Sequence, residues 1–223
     1  MRRLRCVAAV LLLLAGAGSA IAQKAPDPAD LLFDTPQWRT ATAGSEIVYR
    51  YRRASPLEDV FGSSMDDRIR LDLEAGASDT SRTVRVQMFS EGRRKPAGPF
   101  EDVEGNPVIV LFLEHHLANL AHVLKANPRY LKNAIRAGLR EKAVMTPATA
   151  TIRDEPVPVM RIETRPFLED PNKDRMRGLE SLTYTFTISD QVPGTILSIE
   201  ARATAADGAE LLRESVTYDE TVH

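Results

Sequence analysis

The chain has 223 residues, 29 Lys and Arg against 31 Asp and Glu, a net charge of −2 and one cysteine, Cys6. That balance excludes a general attraction to nucleic acid, which requires a basic face that displaces counterions. A single cysteine excludes an internal disulfide framework.

The N-terminus reads as an export signal. Arg2, Arg3 and Arg5 form a basic start, Cys6 to Ile21 is a short apolar run rich in Leu and Ala, and Ala20-Ile21-Ala22 fits a small-x-small cleavage site before Gln23. The run is shorter than the roughly 20 residues of a spanning helix. Cys6 precedes the run, whereas a lipid-acceptor cysteine stands just after it. We therefore expect a cleaved signal peptide over residues 1–22 and a periplasmic protein. Loss of three arginines from a chain of net charge −2 leaves −5 and no cysteine.

Residues 23–41, with Pro26 and Pro28, read as a polar N-terminal linker, although Leu31, Leu32, Phe33 and Trp38 are apolar enough to tie it down. A single domain is expected over 42–223. Its first strand puts Ile47, Tyr49 and Tyr51 on one face and Arg50 and Arg52 on the other. Residues 68–74 and 83–88 alternate in the same way, as expected of antiparallel strands with one dry and one wet face. Arg50, Arg52, Arg68, Arg70 and Arg85 fall on the wet face, with Asp72 and Glu74 as cross-strand partners. Residues 91–105, punctuated by Gly92, Pro96, Gly98 and Pro99, read as a long loop. A hairpin is expected over 149–164 around Asp154, then strands over 182–188, 195–203 and 211–218.

Between the two groups of strands lies a helical pair. Asn106-Pro107 and Asn127-Pro128 repeat one device, an Asn that caps the first turn followed by a proline that needs no intrahelical partner. Helices are predicted over 107–125 and 128–142. In the first, Val110, Leu113, Leu117, Leu120 and Leu124 form a stripe, with His115, Asn119 and His122 nearly opposite and His116 on its shoulder. Glu114, His115 and His116 end the opening apolar run too early for a membrane span. In the second, Leu131, Ala134, Ile135, Gly138 and Leu139 oppose a basic surface patch of Arg129, Lys132, Arg136 and Arg140.

Chemistry is sparse. The three helix histidines place no second strong ligand at i+3 or i+4, so no metal is expected. Nucleophile elbow, phosphate loop and zinc-protease motif are absent from the sequence. The acidic clusters Asp66-Asp67 and 101–104 read as solvated loop charges. No cofactor is expected.

The expected fold is α+β: a curved antiparallel sheet of about 7–8 strands, a half-barrel, with the helical hairpin 107–142 packed on its apolar face. This order of elements resembles the half-barrel of the periplasmic lipoprotein-carrier family, in which helices lid an apolar cavity. GNPVIVLFLEHHL and SDQVPGTILSIEA are also similar to stretches of uncharacterised exported bacterial proteins. The first functional expectation is a non-enzymatic protein that binds a lipid or acyl ligand. From the helices, Phe112, Leu113, Leu117, Leu120 and Leu124 are expected to face the cavity. From the sheet, Tyr49, Leu71, Tyr184 and Phe186 are expected to join them. A second expectation is a structural or adaptor protein of an envelope complex, with a filled core, that docks through its basic helix or the 91–105 loop; an anionic membrane surface or an acidic envelope protein is the partner the basic helix suits. An enzyme with an unrecognised site is the third.

Overall fold

The computed structural model describes residues 27–221; the expected signal peptide over 1–22 lies outside them. The elements run α1 (Pro28–Phe33), β1 (Glu46–Ala54), α2 (Glu58–Phe61), β2 (Met65–Ala75), β3 (Arg82–Met88), β4 (Lys95–Val103), α3 (Pro107–Leu124), α4 (Pro128–Ala137), β5 (Val144–Ile152), β6 (Glu155–Thr164), β7 (Thr183–Ile188), β8 (Ile196–Thr204) and β9 (Glu210–Tyr218). A π turn over Gly138–Lys142 extends α4, so the helical backbone reaches the predicted end at 142 in a wider winding.

The fold is α+β. One open sheet of nine strands has the order β4-β3-β2-β1-β9-β8-β7-β6-β5, antiparallel at every pair. Two meanders, β1–β4 and β5–β9, are joined by β1 against β9. The expected count of about 7–8 omits β4, which lies within the supposed loop 91–105. Its turn-forming residues belong to an edge strand that pairs with β3 through two register shifts. Prolines and irregular register are features of edges, where one side of the ladder is unpaired.

Alternation places the core where expected. Tyr49, Tyr51, Ile69, Leu71, Val84, Val86, Tyr184, Phe186, Ile199 and Val216 are buried on the dry face. Arg50 binds Asp66 through Nε at 2.8 Å, Arg85 binds Glu74, and Arg70 lies 3.8 Å from Glu46. Asp72 takes none of these arginines. Such exposed pairs contribute at most about 1 kcal/mol each. Asp67 is buried rather than solvated, accepting from Ser90 Oγ at 2.8 Å and Arg93 Nη2 at 2.9 Å.

The segment read as a linker is folded from Asp27 onward. Asp27 caps α1 by accepting from the Ala29 amide at 2.8 Å, and Leu32 and Trp38 are buried. Trp38 Nε1 donates to the Val103 carbonyl at 2.8 Å. The apolar residues outweigh the prolines because they reach a neighbouring surface, which composition does not reveal.

Asn106 joins the parts. Its Oδ1 accepts from the Val108 amide at 3.1 Å, while Nδ2 donates to Tyr49 Oη at 2.9 Å and to the Gly194 carbonyl at 3.0 Å. Its own amide donates to Gln37 Oε1 at 2.6 Å. Gly194, at φ +73°, leaves room for this amide: a Cβ there would lie 2.6 Å from Asn106 Nδ2.

At 18 residues α3 is long and apolar enough to cross a bilayer by length and composition, contrary to the sequence expectation. In the fold it is a core helix. Its buried residues are Pro107, Val108, Ile109, Phe112, His116, Leu117 and Leu120, so the face toward the sheet centres on Phe112 and His116. The predicted stripe is therefore rotated: Val110 is 49% exposed and Leu113 half-buried.

Candidate functional site

The space between α3 and the sheet is filled. Tyr49, Leu71, Phe112, Leu120, Tyr184 and Phe186, expected around a cavity, are each at most 2% exposed and belong to one core cluster with Leu117. The void beside them, bounded by Arg53, His116, Leu120, Leu212 and Glu214, is about 10 Å³. That holds at most one water.

The larger hollow lies on an adjoining face of α3. A groove of about 430 Å³ runs between α1, α3 and α4. Ala29 and Phe33 of α1, Val110, Leu113 and Leu117 of α3, and Ile135 and Leu139 beyond them form its apolar lining. Of the expected cavity-facing residues, only Leu113 and Leu117 line it. Leu124 lines a separate hollow of about 400 Å³ with Tyr130, Leu131 and Met176. The rotation of α3 explains the transfer: a helix apolar nearly all round at its start offers one face to the sheet and a second to α1 and α4.

The groove's charges have a definite arrangement. Lys132, Arg136 and Arg140 of the predicted basic patch line it, and Arg129 does not. Asp30 of α1, the flanking caps Asp27 and Asp34, and Glu114 of α3 also line it. Lys132 and Glu114 pair with one another, and the Asp27 carboxylate is engaged by the Ala29 amide. Asp30, Asp34, Arg136 and Arg140 remain exposed, and their side chains have no ion pair among the described residues.

A second constellation lies inside. His116, expected on a shoulder, is fully buried, with Nδ1 2.8 Å from Glu214 Oε2. Tyr51 Oη donates to Glu214 Oε1 at 2.8 Å. His116 stacks on Phe112 at 5.9 Å between centroids and meets Tyr184 edge-on at 5.5 Å. Burial by itself would raise the Glu214 carboxyl, but His116 and the Tyr51 hydroxyl outweigh it and hold the group below its usual range. An ionised carboxylate only accepts, so His116 Nδ1 carries the proton of their hydrogen bond. Burial pushes the Tyr51 and Tyr184 phenols up, and the Glu214 charge adds to both shifts. Burial also depresses His115, with Glu214 opposing it in part. His116 Nε2 and Tyr184 Oη have no hydrogen-bond partner among the described residues. The pairing of a carboxylate with a histidine is chemically capable of proton transfer, yet the void beside it has no room for a substrate.

The signal for this cluster was present in the alternation. Leu212, Glu214 and Val216 share a face of β9, so a carboxylate sits in phase with core residues. Phe112, His116 and Leu120 recur every four positions on α3. Among the described residues, no group of three or more His, Asp or Glu is placed to hold a metal. The chain matches no family model and no curated protein, so the functional meaning of the groove rests on its geometry and charges.

Proposed function

We propose that this is a non-enzymatic protein of the bacterial envelope that binds a lipid or another apolar ligand in the groove between α1, α3 and α4. The observation that carries the reading is an apolar channel of about 430 Å³ left uncovered in a molecule whose helix–sheet space is otherwise filled. Phe33 and Val110, 36% and 49% exposed, are large apolar side chains that no described residue covers at this groove. Clustered apolar exposure of this kind commonly marks a ligand or partner site. The basic start and small-x-small junction of the sequence supply the periplasmic assignment.

The sheet is read as a half-barrel with the helical hairpin across its apolar face. The chain leaves the sheet at edge β4 and re-enters at edge β5. Laid flat, nine strands would separate those edges by about 38 Å, whereas α3 spans about 27 Å. Curling the sheet around α3 brings its edges within reach of the connection through α3 and α4.

Organic extraction of protein purified from the periplasm, followed by mass spectrometry, tests the reading. We expect an acyl-chain species in near-stoichiometric yield, and its loss from a Val110→Glu, Leu113→Glu variant. Repeated recovery of empty wild-type protein would sink the proposal.

The filled helix–sheet space also favours a second reading, an adaptor docking through Arg136 and Arg140. An Arg136→Glu, Arg140→Glu variant should then lose its partner in a pull-down from envelope extract. An unchanged partner list would count against that role.

A further inference from the structure

Resting on the groove reading, we infer that the ligand is a phospholipid whose head carries both a phosphate and an amine. The fold commits some of the groove's charges and leaves others unpaired. Lys132 and Glu114 neutralise one another, and Asp27 is occupied as a helix cap. Among the described residues, what remains at the groove is Asp30 and Asp34 on and just beyond α1 and Arg136 and Arg140 on and just beyond α4. A purely anionic head would be drawn to the arginines but would also meet two carboxylates. A cationic head meets the converse conflict. A zwitterionic head presents phosphate to the guanidiniums, which bind it through paired N–H donors, and its amine to the aspartates. The apolar lining formed by Phe33, Val110, Leu113, Ile135 and Leu139 then receives an acyl chain.

Isothermal titration of the mature wild-type chain with four ten-carbon probes, each below its micellar concentration, tests this. The probes are decylphosphocholine, decyl phosphate, decyltrimethylammonium and decanol. We expect decylphosphocholine to bind about tenfold tighter than decyl phosphate and decyltrimethylammonium, over each of which it has one additional ionic contact, and tighter still relative to decanol, over which it has two. Arg136→Gln with Arg140→Gln should erase its advantage over decyltrimethylammonium. Asp30→Asn with Asp34→Asn should erase its advantage over decyl phosphate. All four positions are exposed, so the variants retain the core, which circular dichroism checks. If decyl phosphate or decyltrimethylammonium equals or exceeds decylphosphocholine on the wild type, the zwitterion inference is overturned. Equal binding of all four probes overturns it while leaving an apolar groove standing. Binding of none overturns both.

Discussion

Replacing Glu214 with alanine is expected to cost about 2–4 kcal/mol of stability, because two buried hydrogen-bond donors are left without their acceptor. That corresponds to a fall in melting temperature of roughly 10 °C for a chain of this size. Glu214 is 1% exposed and accepts from two groups that are themselves sealed, His116 at 2.8 Å and Tyr51 at 2.8 Å. Without the carboxylate, both donors lose their acceptor and a cavity opens beside them in the core. The apolar alternative has the opposite consequence. Tyr51→Phe, His116→Phe and Glu214→Leu together remove both donors with their acceptor, and the triple variant is expected to be more stable than Glu214→Ala. Urea unfolding at neutral pH measures both. A Glu214→Ala protein within about 1 kcal/mol of wild type would refute the account, since this is below the usual penalty for a buried unpaired group.

The same cluster sets a pH signature. Glu214 titrates lower in the fold than its ordinary value of 4.5, so its contribution is fully present above 4.5 and is lost as pH falls through the folded value. His115 has the other origin. Its ordinary value is 6.5, and burial lowers it, so the unfolded chain takes up its proton first as the medium is acidified. Stability therefore starts to fall below pH 6.5 through His115, and again below 4.5 through Glu214. Unfolding series for wild type, His115→Phe and Glu214→Gln separate the steps. The difference between wild type and Glu214→Gln should shrink below pH 4.5, and exposed carboxylates common to both proteins cancel from it.

Asn106→Ala is expected to destabilise by about 3–4 kcal/mol, against about 1 kcal/mol or less for Asn127→Ala. Both residues cap a helix by accepting from the amide two positions on, at 3.1 Å and 2.9 Å. Asn127 is exposed, and water replaces what it loses. Asn106 is 3% exposed, and its amide also satisfies Tyr49 Oη and the Gly194 carbonyl. Burial pushes the Tyr49 phenol up, so it stays neutral and accepts this bond across the ordinary pH range. Asn106→Asp separates the roles: it keeps the capping oxygen, removes both donors and sets a charge against a carbonyl. It should remain destabilised by at least about 2 kcal/mol. Equal costs at positions 106 and 127 would show that the cap alone matters. Chemical denaturation of the three variants decides this.

That contrast between two identical dipeptides marks the boundary of what residues disclose. Helix starts at Pro107 and Pro128 were legible because capping is local chemistry. Most strands were legible because alternation reports a sheet with one dry face. β4 was not, since Pro96, Gly98 and Pro99 spell a turn in isolation and become an edge strand only beside β3. α1 was not, since its anchoring depends on surfaces distant in the chain. For the candidate site, the basic patch and part of the leucine stripe were visible, but not the surface they serve. Periodicity determines that α3 has apolar faces, whereas packing against the sheet decides which one is consumed. Phe112 and His116 took the sheet; Val110 and Leu113 were left to the groove. The partnership of His116 with Glu214 spans 98 residues. Sequence by itself determined the local elements and their amphipathic character, because these follow from backbone geometry over a few residues. Only the tertiary structure decided which charges are spent on one another and which are left at the groove, because pairing depends on distance in space.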